Sequence, residues 1–346
     1  MEFAMTRRRL TFVLIVFLTC WSIVPGARSS QQARPFSIYI AVWRGCEEAC
    51  KGFQDYFREE GIDADFIVRD AKRDKAKLTE FVREARELKV DLVVTWGTSV
   101  TVGMIGRLAD SNPDKHLTDI PVVFMIVADP VGAGIIESYA SSGRPNITGT
   151  RNRVPEEVQM RAIRAFRYFK RLGIIYNTNE LNSVLNVGKI RNLAKKMRFV
   201  LFERNIDLDE NGKPIPESIP QKIKELKDRN VAFIYVGSSS FLMRHMDYLT
   251  SSAIDQGVAI VSAYEAMASK SNALLAVASR YYSVGKLAGF QAKNILIDTH
   301  PPIALPILSL SRYSYVINME TARKLKLYPP IKVLRYAEVV HGQQQK

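Results

Sequence analysis

The chain has 346 residues, of which 47% are hydrophobic and 24% charged, with a formal net charge of +14. That length and apolar content exclude a disordered chain and a disulfide-stapled miniprotein, and they allow two domains with cores of their own. The basic balance raises nucleic acids and anionic membranes as partners. The lysines and arginines are spread along the chain and accompany no nucleic-acid-binding motif, so no nucleic-acid partner is expected.

Residues 1–29 read as a secretory signal. Arg7-Arg8-Arg9 precede an apolar run from Leu10 to Val24, and Pro25 to Ser30 supplies a turn and small residues. The run is shorter than the roughly 20 residues a membrane-spanning helix needs. Cys20 lies inside it, behind Phe17-Leu18-Thr19, which is a poor lipidation site. The mature protein is therefore expected to be periplasmic or secreted, with a membrane anchor as the alternative.

Pro35 to Val42 reads as a first strand ending at Trp43-Arg44-Gly45. A helix over Cys46–Glu60 follows, with Ala49, Phe53, Tyr56 and Phe57 on one face. Cys46 and Cys50 share a face of its first turn, a spacing open to a disulfide. Ile62–Val68 is a strand and Lys75–Leu88 an amphipathic helix. Then Leu92–Val94 and Pro121–Val127 are apolar runs, each ending in a small or acidic cluster and each followed by a helical pattern, Val102–Leu108 and Val131–Tyr139. Run, polar turn and helix in repetition is the signature of parallel β-α units. Ligands sit outside the carboxyl ends of such strands, so Gly97, Thr98, Ser99 and Asp129 are candidate binding residues on one rim.

The same pattern restarts near Arg151. A helix over Pro155–Leu172 carries Arg161, Arg164, Arg167, Lys170 and Arg171 on its outside. Strands follow at Gly173–Asn177, Phe199–Glu203, Ala232–Val236 and Ala259–Val261. Helices follow at about Asn182–Met197, Ile219–Arg229 and Phe241–Asp255. Gly285–Leu296 is a further helix and Ser309–Ile317 a strand, after which Asn318 caps a last helix. Residues 341–346 form a polar tail. The expected fold is α/β, two doubly wound parallel-sheet lobes in sequence. His116, His245, His300 and His341 stand apart, without metal-ligand spacing. No nucleophile elbow, phosphate loop or dinucleotide fingerprint is present, so neither an enzyme nor a cofactor is expected.

Several motifs, in this order and spacing, carry a family resemblance. They are Pro121-Val122-Val123-Phe124, Asp129-Pro130-Val131-Gly132-Ala133-Gly134 and Asn146-Ile147-Thr148-Gly149, then Gly173-Ile174-Ile175-Tyr176-Asn177, Tyr281-Tyr282-Ser283-Val284-Gly285 and Val316 to Ala322. Over Ile38 to Val340 the chain resembles the substrate-binding proteins of ABC transporters, in the group typified by tryptophan- and tyrosine-binding members. The resemblance implies a type I periplasmic-binding fold whose lobes close on a small ligand about a hinge. It implies a first lobe of 30–149 with 280–306, a second of 150–279 with 307–340, and a monomer. It further implies delivery of the ligand to a membrane permease and its ATPase, or, alternatively, presentation to a membrane sensor kinase.

By the same resemblance the ligand contacts fall on Trp43, Arg44, Gly97, Thr98, Ser99, Asp129, Tyr176, Asn177, Ser238, Ser239, Tyr264, Glu265, Ser279 and Tyr281. Many members carry an Asp after the strand that here is Phe233–Val236, and this chain has Ser239 there. A hydroxyl does not supply the charge-assisted bond an ammonium favours. Glu265 or Asp129 is then the expected replacement.

Overall fold

The computed structural model describes residues 34–341. The signal segment, Cys20 and residues 342–346 lie outside them. In chain order the elements are β1 (Phe36–Val42), α1 (Glu48–Glu59), β2 (Ala64–Asp70), α2 (Lys77–Glu87), β3 (Leu92–Trp96), α3 (Thr98–Ile105), β4 (Val122–Val127) and β5 (Ile147–Arg151). Then come α4 (Glu156–Phe166), β6 (Arg171–Tyr176), α5 (Leu181–Met197), β7 (Val200–Asn205), α6 (Ile219–Lys227) and β8 (Phe233–Val236). Next are α7 (Ser240–Arg244), α8 (Met246–Asp255), β9 (Ile260–Ser262), α9 (Glu265–Ser269), β10 (Leu275–Ala278) and α10 (Tyr281–Leu296). The chain closes with β11 (Leu308–Ser309), β12 (Ser314–Asn318), α11 (Met319–Lys324), α12 (Ile331–Leu334) and β13 (Glu338–Val340).

Two sheets result. The first has the order β11-β5-β4-β3-β1-β2 and the second β13-β12-β10-β9-β8-β6-β7. Every pairing is parallel except β10 with β12. The side-chain period of two sends alternate residues to opposite faces, and both faces are covered. In β1, Tyr39 and Ala41 face α2 and α3, whereas Ile38, Ile40 and Val42 face α1 and α10. In the second sheet Phe233 and Tyr235 pack beneath α4 and α5, and Ile234 and Val236 beneath α6 and α8. This double burial explains why the inner strands read as unbroken apolar runs.

The chain crosses between the sheets after β5, after β10 and after β11. The stretch expected as one strand, Ser309–Ile317, is divided between two sheets: Leu308–Ser309 pairs with β5 and Ser314–Asn318 with β10. Val131–Tyr139, expected as a helix, is a succession of turns instead. Asp129 Oδ1 accepts from the Gly132 amide at 3.1 Å and Gly134 has φ +69°, so the chain folds back before a helix can propagate. The helix expected to reach Leu172 stops at Phe166. Arg167 turns extended there, and Phe169 is inserted between the rings of Phe199 and Phe233.

The basic stripe expected on α4 does not form one face. Arg164 lies over Tyr168, Phe169 and Phe199, Arg171 lies over Phe202, and Arg161 pairs with Glu157. Asn146, in an Asn-Ile-Thr sequence, donates through Nδ2 to the carbonyls of Leu117 and Ile120. Asn318 accepts from the Thr321 amide and caps α11 as expected.

Cys46 and Cys50 are joined by a disulfide, with Cα atoms 5.2 Å apart. It ties the loop after β1 to the first turn of α1, whose N-cap has no side-chain bond of its own. Closing so short a loop is worth about 2 kcal/mol by the chain-entropy estimate. Reduction should therefore lower the unfolding temperature by a few degrees, and a Cys46→Ser/Cys50→Ser variant should show the same midpoint with and without reductant.

Candidate functional site

The carboxyl ends of both sheets face one cleft. The first lobe contributes Trp43 and Arg44 after β1, the end of β3 with the start of α3, Ile126 from β4 and Ala128 just after it, and the crossing that follows β5 contributes Asn152. The second contributes Asn179, Glu180 and Asn182 before and within α5, Ser238 and Ser240 after β8, and Tyr264 after β9. Tyr281 enters from the crossing into α10.

Gly97 caps α3 with φ +89° and ψ 156°, a conformation side-chain-bearing residues rarely adopt. Because Gly97 is the cap, Thr98 and Ser99 are free to face the cleft. No side chain caps the helix, so its first amides stay available to an anion. The far end of α3 is held by Arg144, whose buried guanidinium donates to the carbonyls of Ile105 and Gly106. At β4 the register with β5 shifts between Phe124 and Val127, and Ile126 takes φ +57°. A β-branched residue in that region is strained, by about 1–3 kcal/mol. The bulge is the local distortion that accompanies Ile126 on the cleft wall.

Aromatic rings run across the cleft from lobe to lobe. Trp96 meets Tyr281 edge-on at 6.4 Å, and Tyr281 meets Tyr264 at 6.4 Å. Arg44 lies over Trp96 at 5.1 Å, is held by Glu47 at 2.6 Å, and reaches the Ser240 carbonyl of the other lobe at 3.5 Å. Burial pushes the Tyr264 hydroxyl up to about 12 and that of Tyr281 well above its ordinary value, so both stay neutral phenols. The Tyr264 oxygen accepts the Ser239 amide at 2.7 Å.

Three buried polar atoms of the cleft have no hydrogen-bond partner among the described residues: Trp96 Nε1, Asn152 Oδ1 and Glu180 Oε2. Buried unpaired groups are costly, and these three give a polar guest in the cleft both a donor and acceptors to meet.

The structure brings eight of the fourteen expected contacts to the cleft: Trp43, Arg44, Gly97, Thr98, Ser99, Ser238, Tyr264 and Tyr281. The other six do not line it. Asp129 pairs with Lys189 of α5 at 2.6 Å, across the lobes. Tyr176 packs on the second core. Asn177 forms a turn, its Oδ1 accepting from the Asn179 amide at 3.0 Å. Ser239 caps α7 through the Leu242 amide. Glu265 accepts from the Ser314 hydroxyl at 2.7 Å and lies 3.5 Å from Arg280. Ser279 is buried and is not among the residues that line the cleft. Neither Glu265 nor Asp129 offers a carboxylate to the cleft.

Glu180 does. The Asn177 turn carries the chain so that Asn179, Glu180 and Asn182 reach inward in place of Tyr176 and Asn177. The signal was the polar run Asn177–Asn182 ahead of an amphipathic helix. Glu180 Oε1 accepts the Phe241 amide at 3.0 Å. Burial holds its carboxyl above the ordinary carboxylate range, against a smaller pull downward from the Ser239 hydroxyl, the Phe241 and Ser240 amides and Arg44.

Two α/β lobes with parallel sheets, opening on a shared cleft at their strand ends, define a solute-binding fold of the periplasmic type I kind. The chain belongs to the family described as ABC transporter substrate binding protein, whose model matches residues 42–341. It is 26% identical over 286 residues to a tyrosine-binding protein of Clostridioides difficile, covering 81% of this chain and 77% of that one. A conserved domain protein from Vibrio cholerae shares the fold with a TM-score of 0.76 at 19% identity, over 89% of this chain and 100% of that one. An ABC domain from Streptococcus pneumonia in complex with L-Trp does so with a TM-score of 0.73 at 23% identity, over 88% and 99%.

Proposed function

We propose that this protein captures an aromatic amino acid between its two lobes and delivers it to a membrane permease and ATPase. The row of rings from Trp96 through Tyr281 to Tyr264, with Trp43 beside it, is the observation that carries the reading. A flat ring stacks on such walls with little loss of side-chain freedom. The open amides of α3 and the cationic Arg44 suit a carboxylate. That the related proteins named above bind tyrosine and tryptophan agrees with it.

Closure would be the capture step. The first lobe would comprise 34–151 with 281–309 and the second 152–279 with 310–340, turning about the three crossings. Asp129–Lys189 and Arg44–Ser240 join the lobes. Leu181 and Leu185 of α5 also pack on the core of the first lobe. The basic, apolar segment 7–24 and the disulfide fit an exported protein.

Calorimetric titration with L-tryptophan, L-tyrosine, L-phenylalanine and L-leucine tests the reading. An aromatic ligand at 100 times its Kd should stabilise the protein by about 2.7 kcal/mol. X-ray scattering should show a smaller radius with it than without. An absence of binding by all three aromatic amino acids would discard the proposal.

A further inference from the structure

We infer that Glu180 is the partner of the ligand's ammonium group and the residue that makes this cleft select amines over plain carboxylic acids. The inference rests on the proposed aromatic amino-acid reading and deepens it. Among the described lining residues, Glu180 is the one carboxylate. Oε1 accepts the Phe241 amide; Oε2 is buried and receives no well-aligned hydrogen bond, with the Ser239 hydroxyl and the Ser240 amide close enough to draw on the carboxylate. The nearby cation, Arg44, does not fill that role, because its Nε and Nη2 are held by Glu47 at 2.6 and 3.1 Å and its plane lies over Trp96. Asn152, on the crossing after β5, presents a second unpaired acceptor.

Two unpaired acceptors, one of them anionic, call for a cation with several N–H bonds. An ammonium has three. A carboxylate guest would meet Glu180 with repulsion, and a hydroxyl would offer it one donor and no opposite charge.

The charged groups around Glu180 give the inference a proton signature. Arg44 approaches from the first lobe, with Lys75 also on the lining, and Tyr264 stands on the second lobe beside the amides that start α7. Tyr264 stays neutral, so Glu180 is the group that responds. An ammonium binds the ionised carboxylate. Where the carboxyl is protonated in the empty cleft, binding expels that proton to solvent. Affinity for an amine therefore rises with pH through the raised Glu180 range and levels off above it.

Two ligand pairs test this on the full chain: L-tryptophan against indole-3-propionate, and L-leucine against 4-methylpentanoate. Each pair differs by the amine alone. Wild-type protein should prefer the amine member by about 10- to 100-fold, the range expected for one hydrogen bond to a charged group. Titration in two buffers of different ionisation heat should show proton release with the amine and none with its partner acid. Glu180→Gln keeps the acceptor for Phe241 and should lose both the preference and the release, with an unchanged preference for indole over the aliphatic chain. If indole-3-propionate binds as tightly as L-tryptophan, or Glu180→Gln keeps the amine preference, the Glu180 assignment falls and the aromatic reading stands. If only the leucine pair binds, with an amine preference that Glu180→Gln abolishes, the aromatic reading falls and Glu180 stands. If neither amine binds wild-type protein, both fall.

Discussion

Gly285→Ala should destabilise the protein by about 3 kcal/mol, at the upper end for overpacking by one methyl. A Cβ at this position would stand 1.9 Å from the carbonyl oxygen of Ala49. The opposing contact repeats the problem, since a Cβ on Gly52 would stand 2.1 Å from the carbonyl oxygen of Tyr282. One turn further on, Gly289 faces the Tyr56 side chain, with a Cβ to Cβ separation of 2.7 Å. Helices α1 and α10 thus touch backbone to backbone, and what the methyl meets cannot swing aside as a side chain would. Alanine's better helix propensity returns only about 1 kcal/mol. Gly188→Ala on α5 is the control, because nothing lies within 4 Å of its Cβ. It should be neutral or stabilising by up to about 1 kcal/mol, by the loss of unfolded-chain freedom. Urea unfolding of both variants measures the contrast. Since α10 begins with Tyr281, a displaced helix should also weaken ligand binding.

The repeated β-α units were legible because doubly covered parallel strands leave a plain mark: short apolar runs ending in small or polar residues. Gly97, Thr98 and Ser99 were legible for the same reason, as strand-end residues at a helix start. The failures have a common physical source. Asp129, Tyr176 and Asn177 stand at strand ends too, but a turn decides which neighbour points inward. Asn177 uses its side chain to bend the chain and so gives the cleft to Asn179 and Glu180. Asp129 does likewise with Gly132 and then pairs with a lysine 60 positions on, which no local pattern announces. Glu265 was read as a cleft carboxylate. Its partners Ser314 and Arg280 come from later crossings of the chain, beyond the reach of sequence spacing. The split of Ser309–Ile317 belongs here as well: alternation specifies a strand but not the sheet it joins.

Glu156→Leu should be as damaging as the glycine substitution or more so, and for an electrostatic reason. Arg153 and Glu156 lie where the chain leaves β5 for α4, with side chains 3% and 6% exposed, and Arg153 Nε is 3.4 Å from Glu156 Oε1. Asn186 adds a 3.5 Å contact to the same oxygen. Removing the carboxylate would leave a buried guanidinium uncompensated, which costs about 3–5 kcal/mol. Arginine does not escape by giving up its proton, so the structure must open or admit water. Arg153→Met in the same chain removes the stranded charge, and the double variant should recover most of the loss. Thermal or urea unfolding of the four proteins gives the coupling energy directly, and a value under about 1 kcal/mol would show that the pair does not act as a unit. The recovery in stability should not extend to function. Asn152 borders the cleft one residue before Arg153, and a methionine, flexible and without hydrogen bonds, no longer fixes the linker that presents it. The double variant should therefore unfold near the wild-type midpoint yet bind its ligand more weakly, which would separate the pair's part in stability from its part in holding the cleft wall.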